Sequence, residues 1–507
     1  MLPSSQSFSD IRLIAFYLPQ FYPFAENDLW WGKGFTEWTN VTKAQPLFRG
    51  HYQPHLPADL GFYDLRLAET QRDQARLAQK YGVSAFCYHY YWFSGKRLLG
   101  KPLDAMLGDK SLDMPFCLSW ANENWTRRWD AAEQEILIAQ DYATHDDDRF
   151  VDDLLPYLSD PRYLRIDGAP LFIVYRPQQI PDLPKRAERW RKRCQMQGVA
   201  IHLCAALTHG NQDYVRFGFD SGVEFPPHNV AQMKVANFQS KLDYFSYFNG
   251  ATIDYESLAR AYLSQSYHGG EVFRCVVPSW DNTARKNHNA VILLDGNPVN
   301  FELWLKQAFE ITARMHSGDR RLVFVNAWNE WAEGCHLEPD RKYGLQFLEA
   351  IERVRSGRSH VTDFIKAERP QVTVERTGSH SKAMPVSWKV KRELKRIARQ
   401  VTKRRIRVPM EDVYDEVMVR GAEQPEAGAG RLPAPLPTPD LSTFMNYEYK
   451  VNLKADQAAA HVIDLVGKDK KVLEIGAGSG SITTHLVQTN RCRVSALEIN
   501  PASIEKL

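Results

Sequence analysis

Short apolar runs with the composition of buried β-strands recur along the chain as far as Trp328, and stretches of helical periodicity separate them. Eight runs can be recognised: Arg12–Tyr17, Ser84–Tyr91, Pro115–Trp120, Leu171–Arg176, Ala200–Leu207, Ser221–Phe225, Val272–Trp280 and Leu322–Trp328. Leu65–Tyr81 and Phe301–His316 are examples of the helical patterns between them. Alternating strands and helices predict an α/β fold with a parallel sheet. Eight repeats favour a closed (β/α)8 TIM barrel over a doubly wound sheet with fewer strands.

Polar and aromatic residues gather at the carboxyl ends of these runs. In a TIM barrel all the carboxyl ends meet at one face, where active sites are assembled. Aromatic rings stack on the apolar faces of sugars, while amides and carboxylates bind sugar hydroxyls. We therefore predict a sugar-binding face with these substrate-binding residues: Tyr17, Trp31, Trp38, His89, Tyr91, Trp120, Asn122, Glu123, His209, Trp280, Asn329 and Trp331.

Two acidic residues near this face have alternative interpretations. Glu123 is predicted to accept a hydrogen bond from a hydroxyl, but a salt bridge with Arg127 or Arg128 is the alternative. Glu37 follows Trp30 on the first loop and is interpreted as a loop-stabilising residue, with a role as a third site carboxylate as the alternative.

Two further carboxylates, Glu330 and Glu333, follow the last run and stand beside Trp328 and Trp331. Making or breaking a glycosidic bond requires one carboxyl group to exchange a proton with the bridging oxygen and another to stabilise or relay charge at the sugar. Two acids in one partly apolar cleft also push their pKa values apart, which provides an acid and a base at the same pH. We therefore predict that Glu330 and Glu333 are catalytic. The alternative is a helix N-terminal acid and a structural ion pair.

The same face carries the segments of a known family: Ala15–Tyr22, Gly34–Val41, Tyr88–Trp92, Ser119–Trp125 and Asn329–Gly334. On these segments, residues 1–355 resemble the WbsX-like glycosyltransferases of O-antigen gene clusters, which are similar to the endo-α-mannosidases of glycoside hydrolase family 99. The resemblance implies a barrel without a cofactor that acts on mannoside-like glycans in the biosynthesis of surface polysaccharide or lipopolysaccharide.

The resemblance also implies separate roles for the two glutamates. Glu330 would act as the base on the 2-hydroxyl of the sugar and assist internal attack at the anomeric carbon. Glu333 would be the acid and base at the bridging oxygen. Both hydrolysis and transfer from a nucleotide-linked or lipid-linked sugar stay open. A barrel that binds sugars without turning them over is a third reading, which the presence of both glutamates disfavours.

Asp146–Asp148 is the one Asp-x-Asp pattern that could bind the metal and diphosphate of a nucleotide sugar. A helical pattern follows it and no strand precedes it, so capping and compensation of the helix dipole explain it better. No His and Cys residues have the spacing of a zinc site, and the sequence predicts no metal.

Residues 356–441 have the composition of a polar linker with a Pro/Ala/Gly-rich stretch at Gly421–Asp440. Within them, 389–407 holds ten Lys or Arg among nineteen residues, with an apolar stripe at helical spacing. Our hypothesis is that this helix lies on an anionic membrane surface and places the protein beside lipid-linked glycans. A solvated linker helix and a basic arm that docks on the barrel are the alternatives. Nucleic acid is not expected, because no aromatic platform accompanies the charges.

The last segment, 442–507, begins with a strand pattern that runs into a glycine-rich turn, and a second strand pattern follows at Val494–Leu497. The turn and its flanking acids are the predicted cofactor-binding residues: Glu474, Gly476, Gly478, Gly480 and Glu498. This segment resembles the start of an S-adenosylmethionine-dependent methyltransferase. It contains about two strands of such a sheet, so we expect the complete domain, and not this segment alone, to bind S-adenosylmethionine. A methyltransferase that uses the barrel to hold its glycan acceptor is another reading.

Charge and cysteine content bear on the compartment. The net charge of +3 is too small to indicate a charged partner for the whole chain. Residues 1–10 lack the features of a secretory signal, and no window has the ~18 uninterrupted apolar residues of a membrane span. The seven cysteines are scattered without a CxxC pair, which predicts buried free thiols in a reducing compartment. We therefore expect a cytoplasmic protein.

Overall fold

The computed structural model describes residues 7–127, 132–143, 146–233, 235, 248–267, 270–366, 471–475 and 493–497. The chain divides into two compact units, Met1–Gly378 and Ser379–Leu507. Four sequence predictions lie outside the described residues: the basic helix at 389–407, the Pro/Ala/Gly-rich stretch, the three glycines of the turn and Glu498.

Eight parallel strands form a closed barrel in the first unit and follow one another around it in chain order. They are β1 (Arg12–Tyr17), β2 (Ala85–Phe93), β3 (Phe116–Trp120), β4 (Ala169–Val174), β5 (His202–Leu207), β6 (Ser221–Glu224), β7 (Val272–Val276) and β8 (Leu322–Val325). Ile14 of β1 pairs with Ala85 of β2 on one side and with Phe324 of β8 on the other, which closes the sheet. The predicted barrel is confirmed, and each of the eight runs contains one of these strands or overlaps with it.

Helices pack around the barrel and extend the loops at its carboxyl face. In the described part they are α1 (Ala25–Trp31), α2 (Glu37–Lys43), α3 (Ala68–Lys80), α4 (Gly100–Gly108), α5 (Asp147–Leu158), α6 (Leu183–Met196), α7 (Tyr255–Leu263), α8 (Thr283–Lys286), α9 (Pro298–Met315) and α10 (Gln346–Arg355). The predicted helices at Leu65–Tyr81 and Phe301–His316 correspond to α3 and α9. The latter begins three residues earlier than expected because Asn297 caps its N-terminus and Pro298 takes the first helical position.

Short strands add local sheets at the edges of the barrel. They are Lys96–Leu98, Trp125–Arg127, Ala132–Ile138, Arg165–Ile166, Ala251–Asp254, Val291–Leu294, Asn329–Glu330 and Cys335–His336. In the second unit, Lys471–Ile475 and Arg493–Leu497 are strands that pair in parallel, as the sequence predicts for the start of an α/β sheet. Glu474 lies in the first of them.

Three further features bear on the sequence predictions: a helix cap, the cysteines and the length of the apolar helices. The Asp146 carboxylate accepts hydrogen bonds from the backbone N–H groups of Asp148 and Arg149, so it caps α5 as its position predicts. The six cysteines of the described residues are buried free thiols, also as predicted. Among the described residues, no helix combines the length and the apolar character that crossing a membrane requires.

A buried ion pair joins β6 to β7. The Arg274 guanidinium donates to the Glu224 carboxylate at 2.7 Å, and the two side chains are only 8% and 2% exposed. The Tyr267 hydroxyl and the backbone N–H of Cys275 also donate to Glu224. Burial raises the pKa of Glu224, and Arg274 opposes this shift.

We expect Arg274→Met to lower the free energy of unfolding by about 3–5 kcal/mol, because it leaves a buried carboxylate without its cation. The loss should be smaller at pH 5 than at pH 8, because protonation of Glu224 removes the unpaired charge. Arg191→Met is the matched control, since Arg191 and Asp220 form a pair that is 34% and 40% exposed and should contribute about 1 kcal/mol or less. Urea denaturation of both variants at the two pH values measures the difference. Equal losses for both variants would contradict the prediction.

Candidate active site

A tight hairpin carries the two predicted catalytic glutamates at the carboxyl end of β8. Asn329–Glu330 pairs with Cys335–His336 in antiparallel fashion, and one 3-10 turn, Trp331–Glu333, connects them. Gly334 closes this turn with φ of +58°, and a Cβ atom there would lie only 2.9 Å from Asp281. Glycine is therefore required at this position both by its backbone conformation and by the close approach.

Asn329 attaches the hairpin to the end of β1. Its Oδ1 accepts from the backbone N–H of Leu18 at 2.7 Å, and its Nδ2 donates to the carbonyl of Leu18 at 3.0 Å. The backbone N–H of Trp328 donates to the carbonyl of Phe16 at 2.7 Å. These bonds set the position of the hairpin relative to the barrel.

Arg285 of α8 binds three carboxylates at once. Its Nη2 lies 2.6 Å from Oε1 of Glu37 and 2.5 Å from Oε1 of Glu330, and its Nη1 lies 2.7 Å from Oε1 of Glu333. The side chains of Arg285 and Glu333 are 17% and 20% exposed, whereas those of Glu330 and Glu37 are 7% and 0% exposed. The structure thus brings Glu330 and Glu333 together through one guanidinium.

The cluster contains three carboxyl groups but only one cationic side chain, Arg285. With all three carboxylates ionised, one guanidinium leaves a net charge of −2 on this cluster, which burial makes unfavourable. Burial raises the pKa of Glu330 to about 8, Glu333 and Glu37 add to the rise, and Arg285 opposes it. The same carboxylates hold the pKa of Arg285 well above its ordinary value, against its own burial. The cluster therefore keeps the arginine charged and retains a proton on Glu330 to an unusually high pH.

A buried acid, Glu338, supports the hairpin from behind. It accepts hydrogen bonds from the Trp331 indole at 2.6 Å, from the Gln74 amide at 2.6 Å and from the Tyr63 hydroxyl at 2.8 Å. Tyr17 in turn donates to Gln74 at 2.6 Å. Burial raises the pKa of Glu338 to about 7, against the effect of these donors.

A cleft of about 1050 Å³, which includes open solvent, extends from the glutamates to an aromatic wall. Trp125 is the centre of this wall, stacked at 5.3 Å on Tyr91 and at 6.1 Å on Phe93. Trp30 meets Trp125 edge-on at 5.6 Å. Trp30 and Trp31 both lie on α1 and line the cleft.

Three polar side chains of the cleft have buried atoms without a hydrogen-bond partner among the described residues. These atoms are Oε1 of Gln20, both amide atoms of Asn27, and Nδ1 of His89. Burial, with a smaller effect of Arg285, lowers the pKa of His89 to about 4, so its ring is neutral near pH 7. Buried polar atoms in proteins nearly always have partners, so these atoms are suited to a hydroxyl-rich ligand or to water.

The predicted residues divide into three groups. The cleft is lined by Trp31, His89, Tyr91, Glu123, Glu330 and Glu333. Glu123 binds Arg176, which is not one of the two arginines that the sequence suggested. Glu37 contacts Arg285, so it belongs to the carboxylate cluster and does not only stabilise its loop.

Six predicted substrate-binding residues are buried and do not line the cleft. They are Tyr17, Trp38, Trp120, Asn122, Asn329 and Trp331. Their polar atoms bond within the protein: the Trp38 indole donates to the Tyr63 carbonyl at 2.9 Å, and the Trp120 indole donates to the Trp92 carbonyl at 3.0 Å. These side chains therefore pack behind the residues that line the cleft.

Two more predicted residues lie beside the cleft but do not line it. The rings of His209 and Trp280 pack at 5.5 Å and 5.6 Å against His228, which does line it. Four residues that line the cleft were not among the predicted site residues: Arg285, Trp125, Asn27 and Gln20. Arg285 lies four residues after Asp281, which directly follows the predicted strand run Val272–Trp280. This position near a strand end was the signal that could have identified it as a site residue.

We expect the retained proton on Glu330 to make stability depend on pH. Its folded-state pKa of about 8 lies above the value of about 4.3 in an unfolded chain. Its contribution is therefore fully present below about pH 4 and is lost as the pH rises through 8. Between pH 5 and 8, the free energy of unfolding should fall more steeply with pH for the unaltered protein than for Glu330→Gln, and the two slopes should agree above pH 9. Urea denaturation across this range tests the assignment, and parallel curves throughout would refute it.

Comparisons with known proteins identify a family and two relatives. The family model described as glycosyltransferase WbsX matches residues 13–351. The uncharacterized protein WxcX from two strains of Xanthomonas campestris pv. campestris is 44% identical over 342 residues, which is 67% of this chain and 49% of the relative. The chain thus spans about half the length of these curated relatives.

Solved structures with a similar fold have low sequence identity. A glycoside hydrolase-like protein is 15% identical with a TM-score of 0.44, over 68% of this chain and 94% of that protein. The GH99 endo-alpha-mannosidase from Bacteroides thetaiotaomicron is 14% identical with a TM-score of 0.42, over 68% of this chain and 96% of that protein. Because the family model matches residues 13–351, which is more than half of the chain, the chain belongs to the WbsX glycosyltransferase family.

Proposed function

We propose that the barrel makes or breaks glycosidic bonds of mannoside-like glycans in the assembly of surface polysaccharide such as O-antigen, with Glu330 and Glu333 as its catalytic pair. The observation that carries this proposal is the convergence of both carboxylates on Arg285 at the base of a cleft with an aromatic wall. Membership of a glycosyltransferase family supports the reaction class.

The different environments of the two glutamates support different roles. Glu330 is the more buried, and its raised pKa makes its ionised form a strong base. The reactive form of the cluster is the one in which its proton has moved from Glu330 to Glu333, which leaves Glu330 ionised as the base and Glu333 protonated as the acid. In the proposed reaction, Glu330 takes the proton of the 2-hydroxyl, and that oxygen attacks the anomeric carbon. The bond to the bridging oxygen breaks, and this oxygen receives a proton from Glu333. A second hydroxyl or water then attacks the anomeric carbon, loses its proton to Glu333 and restores the 2-hydroxyl, which regains its proton from Glu330.

Arg285 suits this exchange because it contacts both proton carriers. In the proposed first step Glu330 gains a proton and so loses its negative charge, while Glu333 gives up a proton and becomes negatively charged. Both carboxylates contact the same guanidinium. The cluster can therefore keep a nearly constant net charge through the reaction. Preorganised charges of this kind stabilise transition states without reorganising.

The cleft fits a polyhydroxylated ligand. Its aromatic wall offers flat apolar surfaces for sugar rings, and Gln20, Asn27 and His89 offer buried hydrogen-bonding atoms for hydroxyls.

Transfer and hydrolysis differ only in the group that attacks second. Incubating the purified chain with α-mannans, polyprenyl-linked glycans and nucleotide sugars, followed by mass spectrometry, distinguishes them: transfer lengthens an acceptor, whereas hydrolysis adds one water to each cleaved bond.

We expect Glu330→Gln and Glu333→Gln each to reduce turnover by roughly 10²–10⁴ while the affinity for substrate changes little, because the amide keeps the shape but loses the proton transfer. The matched control is Glu349→Gln on the exposed face of α10, which should retain full activity. Initial rates and equilibrium binding are measured on the product-forming substrate found above. Near-normal turnover in either variant would remove that glutamate from the mechanism.

As a second function we propose that the segment 442–507 belongs to a domain that binds S-adenosylmethionine. The supporting observation is the parallel pair of Lys471–Ile475 and Arg493–Leu497, which stands on either side of the glycine-rich segment in the sequence. Methylation of the same glycan would be the corresponding activity.

We expect calorimetry to detect S-adenosylmethionine binding by the natural full-length protein and to detect none for Gly478→Val, because the added side chain would fill the path by which the ligand approaches the backbone. Gly428→Val, in the Pro/Ala/Gly-rich stretch, is the matched control and should bind normally. If the folded natural protein does not bind, the cofactor assignment is wrong.

A further inference from the structure

A second cavity, of about 1170 Å³ including open solvent, lies on the other side of the hairpin from the catalytic cleft. His55, His336 and Asp340 line it, with only 8%, 2% and 3% of their surfaces exposed. Their possible ligand atoms all lie within 4.8 Å of one another. They come from two distant parts of the chain: His55 from the loop after α2, and the other two from the hairpin and the segment after it.

The geometry points to a binding site for one divalent transition metal, with zinc the ion that its two imidazoles and one carboxylate suit best. This site is separate from the glycosidic-bond chemistry proposed above. Nδ1 of His55 and Nε2 of His336 are 3.1 Å apart. Two nitrogen ligands at about 2.0–2.1 Å from a tetrahedral zinc ion would lie roughly 3.3 Å apart.

The surroundings of His336 prepare it as a ligand. Its Nδ1 lies 3.0 Å from the carbonyl oxygen of Glu338, which can only accept, so the proton of the ring is on Nδ1. Nε2 therefore carries a lone pair and faces His55. A backbone carbonyl on the far nitrogen is the usual partner of a metal-binding histidine. The Trp331 ring stacks on His336 at 3.8 Å and fixes its plane.

The other two ligands are also held in place. Tyr52 stacks on His55 at 4.6 Å. One oxygen of Asp340 accepts from the backbone N–H groups of Lys342 and Tyr343, at 3.0 Å and 2.6 Å. These contacts orient the ligands before an ion arrives, which lowers the ordering cost of binding.

Backbone hydrogen bonds join the two segments that supply the ligands. The N–H of Ala58 donates to the carbonyl of Pro339, and the N–H of Arg341 donates to that of Leu56, both at 2.9 Å. An ion bound by His55, His336 and Asp340 would cross-link the same segments. The cavity gives it an entry path and room for a water molecule as the fourth ligand.

The role that follows is structural. His336 pairs directly with Asn329 in the hairpin, and Trp331 contacts both the His336 ring and the side chain of the buried acid Glu338. A metal ion at this position would stabilise the hairpin that carries Glu330 and Glu333 without contacting either of them. The competing explanation is a simple N–H···N hydrogen bond from His55 to His336 with no metal.

The test uses the full 507-residue chain without a histidine tag. Chelator-treated protein is dialysed against zinc and then against metal-free buffer, and bound zinc is measured by mass spectrometry alongside the melting temperature. We expect one zinc per chain and a higher melting temperature with zinc. His55→Gln and Asp340→Asn should each weaken zinc binding at least tenfold and abolish the shift, while His288→Gln, at an exposed histidine, should change neither.

Both test variants keep the local hydrogen bonds. In His55→Gln the introduced amide can still donate to His336, and in Asp340→Asn the remaining side-chain oxygen can still accept from the backbone. Circular dichroism should therefore show folded proteins. Folded unaltered protein that holds less than about a tenth of an equivalent of zinc overturns the proposal. So does one equivalent of zinc that both His55→Gln and Asp340→Asn retain.

Discussion

The shared contact of Arg285 with Glu37, Glu330 and Glu333 is the interaction on which the site depends. One positive charge meets three potential negative charges in a largely buried place, so the cluster cannot hold all three carboxylates ionised without cost. A proton is the simplest compensation, and burial concentrates it on Glu330. Arg285 thus has two effects. It holds the two glutamates near one another, and because its single positive charge cannot balance three carboxylates, one of them keeps a proton.

The position of this cluster is determined by a second set of contacts behind it. The hairpin is bonded to the end of β1 through Asn329, and Trp331 is bonded to Glu338 on its inner side. Asn329 and Trp331 belong to the same aromatic and acidic motif, Asn329–Gly334, as the two glutamates, yet their side chains bond to the protein and do not line the cleft. Much of the motif therefore serves to hold two carboxylates in place, and fewer of its residues face a ligand than its composition suggests.

The two cavities on either side of the hairpin have different chemistry. The cleft beside Glu330 and Glu333 has an aromatic wall, and Gln20, Asn27 and His89 give it buried polar atoms that have no partner among the described residues, a combination that suits sugar rings and their hydroxyls. The other cavity brings two imidazoles and a carboxylate within ligand distance. The hairpin contributes to both linings, with Glu330 and Glu333 in the first cavity and His336 in the second.

The sequence by itself determined the barrel, its eight strands and the pair of glutamates at its carboxyl face. It could do so because strand and helix periodicity are local, and a parallel barrel brings all strand ends to one side whatever the details. Only the tertiary structure decided which aromatic residues face the cleft, since Trp120 and Trp125 lie in one short motif, yet Trp120 is buried and Trp125 lines the cleft. It also decided the partners from distant parts of the chain: Arg285 is 248 residues from Glu37, and His55 is 281 residues from His336. The direction of a side chain and its distant neighbours follow from packing, which a local pattern of residues does not record.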